Sequence, residues 1–196
     1  MGNLRSIQYK LEKEGFTTKV SSSMADMELA DKFILPGVGA FASGMRNLGD
    51  LGILPILQYK VVEKKTPILG ICLGMQLLSK WSEEGDVKGL GWVDAQTSKF
   101  IFDDGVRLRV PHVGWNTINK YKDSILFNGV SEDHRYYFTH SYYVNCLCRE
   151  DIVATTDYGV QITSVLQREN IFGTQFHPEK SHRAGLELIL NFIKWA

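Results

Sequence analysis

Residues Pro67–Ile71 make a short apolar run that passes through Gly70-Ile71-Cys72-Leu73-Gly74 straight into the apolar stretch Met75–Lys80. A run of this length reads as a strand buried on both faces, and a sheet flanked by helices is what offers such a place. Glycines on either side let the chain turn sharply from strand to helix and lift residue 72 out of the sheet. Cys72 therefore stands in the pattern Gly-x-nucleophile-x-Gly. The free N–H groups and positive dipole end of the following helix favour thiolate over thiol. The same pentapeptide also fits a cysteine simply buried in a strand.

The remaining pattern agrees with an α/β class. Leu4, Ile7 and Leu11 fall on one face of an N-terminal helix, with Asn3 as its N-cap and Gly15 as its stop. Thr17–Val20 alternates like a strand, and Lys32–Leu35 reads as a strand entering the loop Pro36-Gly37-Val38-Gly39. Helices are predicted over Phe41–Leu48, Pro55–Val62 and His182–Trp195. Between them the β-rich segments Gln96–Phe102, Val106–Val110, Arg135–Val144, Ile152–Thr156, Ile162–Gln167 and Ile171–Gln175 are separated by turn signals. Helix–strand alternation followed by a strand-rich part predicts an open sheet with helices on both faces and an added antiparallel section.

Length and charge narrow the function. The 196 residues fit one domain, 1–196, able to bury roughly 70% of its unfolded surface. With 22 basic and 22 acidic residues the net charge is zero, so bulk electrostatics cannot hold a nucleic acid or an anionic membrane. The apolar runs are too short for a membrane span, and Cys72, Cys146 and Cys148 without a targeting pattern point to a reducing cytoplasm. No spacing of a structural zinc site or of a phosphate-binding loop appears, so neither metal nor cofactor is expected.

A thiolate nucleophile needs a proton-transfer partner, usually a histidine held by an acceptor. His177 follows the strand-like Ile171–Phe176 and stands two residues before Glu179, on the same side of an extended stretch. The segment reads equally as a polar surface turn. Pro36-Gly37-Val38-Gly39 could lend a backbone N–H to a developing oxyanion, beside that of Leu73, or it could be a plain strand-ending turn.

Taken together, these segments resemble the class I (triad) glutamine amidotransferases, and most closely their HisH family, the glutaminase subunits of imidazole glycerol phosphate synthase. The likeness spans nearly the whole chain. It includes Met1–Ser6, Pro36–Phe41, Gly70–Leu77, Pro111-His112-Val113-Gly114-Trp115-Asn116, His140-Ser141-Tyr142-Tyr143 and Gly173–Ser181. It implies Cys72 as nucleophile, His177 as acid–base and Glu179 as its orienter, with Val38, Gly39 and Leu73 around the oxyanion. It implies Gln76, Glu84, His140, Ser141 and Tyr142 as holders of glutamine, Glu84 taking the ammonium. It also implies a heterodimer with a (β/α)₈-barrel cyclase subunit that receives the ammonia and is faced by Trp115, Tyr137 and Lys180.

The family normally opens with a strand and an Asp-Tyr-Gly turn before the segment that here begins at Met1. The expectation is therefore a sheet lacking its first strand and a true start roughly ten residues upstream, the other reading being a truncated subunit of low stability. Two other functions fit the resemblance: the same glutaminase feeding a sugar amidotransferase of surface-polysaccharide synthesis, and a non-catalytic regulatory subunit.

Overall fold

The computed structural model describes residues 4–103, 105 and 107–195. In chain order it forms α1 (Leu4–Lys13), α2 (Met24–Leu29), β1 (Phe33–Gly37), α3 (Phe41–Asp50), α4 (Leu54–Gln58), β2 (Ile68–Cys72) and α5 (Leu73–Leu77). The short hairpin β3 (Trp81–Ser82) and β4 (Val87–Lys88) follows, then β5 (Ala95–Lys99), β6 (His112–Asn116), β7 (Asn119–Lys120), β8 (Tyr136–His140) and β9 (Tyr142–Cys146). The chain continues through β10 (Ile152–Asp157), β11 (Gln161–Arg168) and β12 (Ile171–Thr174) into α6 (His182–Lys194).

Among the described residues one mixed sheet runs β1-β2-β12-β11-β9-β5-β3-β4, with β10 against β11 and β7 against β10. β1, β2 and β12 are parallel, and the rest is largely antiparallel. β6 and β8 form a separate antiparallel ladder. This is the α/β sheet with an added antiparallel section that the sequence predicts.

All five residues of β2 are buried. Leu69 and Ile71 join Ile7 and Leu11 of α1 and Leu188, Ile189 and Phe192 of α6 on one face of the sheet. Ile68 joins Phe41, Leu48, Leu57 and Met75 from α3, α4 and α5 in the other cluster. Burial on both faces is why this strand reads as unbroken apolar sequence. β1 pairs with β2 alone and forms one margin of the sheet.

Several expected elements differ. Thr17–Val20 is not a strand, because no described strand lies alongside to pair with it. β1 extends through Pro36 and Gly37, which are not loop. The helix predicted from Met75 begins at Leu73, directly after Cys72, and ends at Leu77. Arg135–Val144 breaks at Ser141 into two strands of different ladders. Residues 107–110 carry no strand, and Val106, like the Asn3 cap, lies outside the described residues. The helix expected over Pro55–Val62 changes at Tyr59–Glu63 to a wider π turn.

Candidate active site

At the end of β2 the backbone of Cys72 takes φ +54° and ψ −109° and passes straight into α5. Positive φ in a residue with a side chain is strained, and it persists only where neighbours enforce it. Here they do. A Cβ on Gly70 would lie 2.7 Å from the Gly74 carbonyl oxygen, and one on Gly74 would lie 1.7 Å from that of Leu35. The two glycines therefore let α5 press against β1 and β2 and fix the sharp turn beneath the sulfur.

β12 runs beside β2 and delivers the next segment to the same end of the sheet. His177 and Glu179 are both buried, and His177 Nδ1 lies 2.8 Å from Glu179 Oε1. Around them the loop is tied down. The His177 N–H donates to the Tyr137 carbonyl, the Ser181 hydroxyl donates to the His177 carbonyl, and Lys10 of α1 donates to the Glu179 carbonyl.

Burial works against a charged imidazole at His177, but interactions with Cys72 and then Glu179 outweigh it, raising its pKa to about 9. His177 Nε2 is itself buried and has no protein hydrogen-bond partner among the described residues. Cys146 is different: burial pushes its thiol up to about 12, which leaves it an inert core residue.

Cys72 and His177 open on a cleft of about 320 Å³. Val38, Gly39 and Leu73 line it, and so do Glu84, His140, Ser141 and Tyr142. Gln76 is buried and lines it from α5, donating to the Tyr142 carbonyl at 2.7 Å and to Gln175 Oε1 at 3.3 Å. Those bonds explain a polar residue on an apolar helix. Glu84 does more than line the cleft. Its Oε2 accepts the Phe41 N–H at 2.7 Å, placing a carboxylate on the N-terminus of α3.

The family model of class I glutamine amidotransferases matches residues 2–195. The chain belongs to that family. Imidazole glycerol phosphate synthase subunit HisH 2 of Methanococcus maripaludis is 47% identical to this amidotransferase over 196 residues, covering all of this chain and 96% of that protein. Subunit HisH 2 of Pseudomonas aeruginosa is 42% identical over 194 residues, covering 99% of this chain and 95% of that protein. The amidotransferase therefore falls in the HisH branch.

Among solved structures, a glutamine amidotransferase superposes with a TM-score of 0.73 at 17% identity, covering 98% of this chain and 93% of that one. The glutaminase domain of Trypanosoma brucei CTPS with bound acivicin gives 0.63 at 18% identity, covering 98% and 87%. At such identities the likeness is one of fold.

The three residues expected to face a partner also come together in this amidotransferase. Trp115, 40% exposed, meets the Tyr137 ring edge-on at 5.8 Å, and Lys180 Nζ lies 5.5 Å from the centre of the same ring. His182, which sequence reasoning passed over, stacks on Trp115 at 4.7 Å. Gln175 was also missed: its Nε2 lies 3.8 Å from Cys72 Sγ. Its place in the Gly173–Ser181 segment, two residues before His177, was its signal in the sequence.

Proposed function

We propose that this amidotransferase is the glutaminase subunit of an imidazole glycerol phosphate synthase, with Cys72, His177 and Glu179 as its catalytic triad. The observation that carries the reading is the strained turn at Cys72, set in one cleft with a buried His177–Glu179 pair at 2.8 Å. Neither feature serves a purely regulatory subunit, because strain and buried charge both cost stability.

Glutamine enters with its ammonium toward Glu84 and its carboxylate toward the Ser141–Tyr142 backbone. The Cys72 thiolate attacks the side-chain amide carbon, and the carbonyl electron pair moves onto oxygen. Backbone N–H groups of Leu73 and of the Val38–Gly39 segment receive that oxyanion. Collapse of the intermediate breaks the C–N bond, and protonated His177 gives its proton to the departing nitrogen, releasing ammonia. A water molecule then attacks the glutamyl thioester. Neutral His177 takes the water's proton, glutamate leaves, and the thiolate–imidazolium pair is restored. A pKa near 9 suits a ring that begins the cycle protonated.

Ammonia in neutral water becomes ammonium, which has no lone pair for attack. The product is therefore handed on, to a (β/α)₈-barrel cyclase subunit docked over Trp115, Tyr137 and Lys180. The test is transfer of label. With [¹⁵N-amide]glutamine, this chain and an imidazole glycerol phosphate cyclase subunit should place ¹⁵N in the cyclase product despite excess unlabelled ammonium. Label that dilutes fully into the ammonium pool overturns the pairing. Transfer only when a sugar amidotransferase is supplied assigns the chain to that acceptor.

A further inference from the structure

A file of polar side chains, half-buried at Asn116 and buried at His112 and His140, leads from β6 to the glutamine cleft. Asn116 Nδ2 lies 3.4 Å from His112 Nε2, His112 Nδ1 lies 3.1 Å from His140 Nε2, and His140 Nδ1 lies 2.9 Å from the Tyr142 carbonyl oxygen. His112 and His140 face each other across the β6–β8 ladder, and both are almost wholly buried.

Both ends of the file are backbone groups with a single possible role, and this sets its direction. Asn116 Oδ1 accepts the Thr117 N–H at 2.8 Å, so its Nδ2 is the donor toward His112 and toward the Asp157 carbonyl. His112 Nε2 then accepts, which puts its proton on Nδ1 and makes that nitrogen the donor to His140 Nε2. His140 Nε2 accepts in turn, so its proton sits on Nδ1 and goes to the Tyr142 carbonyl. Reading from the Tyr142 end gives the same assignment. No second proton fits on either ring without setting two donors face to face. Burial agrees, pulling His112 to about 4 and His140 to about 3.

Packing fixes the plane of the middle ring. Tyr158 stacks on His112 at 3.8 Å from one side and Phe138 at 4.8 Å from the other. The far end of the file is the same carbonyl that Gln76 holds at 2.7 Å. That carbonyl belongs to the segment just after the β8–β9 break, where the cleft is lined by Ser141 and Tyr142. A chain of bonds that must all point one way is cooperative and tolerates little displacement of its last member.

We propose that Asn116, His112 and His140 form a one-way hydrogen-bond relay that holds the Ser141–Tyr142 backbone in its ligand-binding geometry, with His112 as its central positioning residue. The inference rests on the reading that this cleft takes glutamine. It gives His140 a task other than touching substrate, and it makes strand β6, which also carries Trp115, a support of the pocket.

The test compares two ways of modifying Cys72 in the full chain. 6-Diazo-5-oxonorleucine needs the amino-acid pocket, whereas iodoacetamide needs only the sulfur. H112F keeps the ring stacking and removes both nitrogens. It should slow capture of the glutamine analogue about tenfold and leave iodoacetamide alkylation unchanged. H112N, whose amide can still donate from the place of Nδ1, should restore most of the loss. Equal capture of the analogue by wild type and H112F overturns the relay, and so does a parallel loss with both reagents.

Long-range ¹H–¹⁵N spectra of the wild-type chain supply a second readout that needs no variant to fold. Both rings should be neutral with the proton on Nδ1. A proton on Nε2 of either ring contradicts the relay. If iodoacetamide labels Cys72 and the analogue never does, the glutaminase reading fails, and the tautomers alone then decide the relay.

Discussion

Gly74 passes so close to Leu35 that a Cβ on the glycine would sit 1.7 Å from the leucine's carbonyl oxygen. That contact joins β1 to the helix that begins at the nucleophile position, and it leaves no room for any side chain. The local stability of the elbow and the exposure of Cys72 thus depend on one absent methyl group. Gly74→Ala should cost about 3 kcal/mol or more, the upper range for overpacking, since only backbone can move away. Chemical denaturation checks this, together with loss of analogue capture at Cys72.

The buried pair at His177 and Glu179 predicts a graded loss of activity. Glu179→Gln keeps the shape but removes a charge that raises the pKa of His177. Glutaminase kcat with the partner present should fall about 10²- to 10⁴-fold, in line with loss of an acid–base group's orientation. The His177 pKa, read by NMR titration, should fall from about 9 toward the ordinary histidine value.

The same ring gives stability an alkaline limb. The folded chain keeps the His177 proton up to a pKa of about 9, whereas an unfolded histidine loses it near 6.5. This contribution is complete below pH 6.5 and disappears as pH rises through 9. His112 and His140 act on the other side. Burial lowers them to about 4 and about 3, so the unfolded chain binds protons below pH 6.5 that the folded chain refuses. Stability should therefore peak near pH 6.5 in urea unfolding, with the fall between 6.5 and 9 flattened in Cys72→Ala.

Glu84 has two tasks that can be separated. Its carboxylate accepts the Phe41 N–H, and in the proposed complex it also pairs with the substrate ammonium. Glu84→Gln keeps an acceptor for Phe41 and removes the charge. Unfolding free energy should change by less than about 1 kcal/mol, while the glutamine KM rises about tenfold. Glu84→Ala should lower both stability and affinity.

The parts of this molecule legible in sequence are those whose physics is local. The elbow was readable because a strand buried on both faces, two obligatory glycines and an apolar helix must follow one another directly. The pairing of His177 with Glu179 was expected from a two-residue spacing in extended chain, but the contact is made through the 3-10 turn Pro178–Lys180. Thr17–Val20 misled because alternation alone does not supply a neighbouring strand. Helix α2 went unread because none of its residues is buried, so it shows no apolar stripe. Its one signal is Ser23 followed by Asp26, the pattern of a helix start. The relay through His112 was invisible because it depends on β6 and β8 pairing in one register, which joins residues 28 positions apart. The bond from the Phe41 N–H to Glu84 was hidden for the same reason: the two residues lie 43 positions apart.

The most direct test of the central claim is an acid-quenched turnover reaction with glutamine and the cyclase subunit, followed by mass spectrometry of the Cys72 peptide. A glutamyl thioester on Cys72 is predicted during steady turnover, absent from Cys72→Ala, which should also release no glutamate. Continued glutamate release by Cys72→Ala, or turnover by wild type with the acyl group on Cys146 or Cys148, would contradict the account.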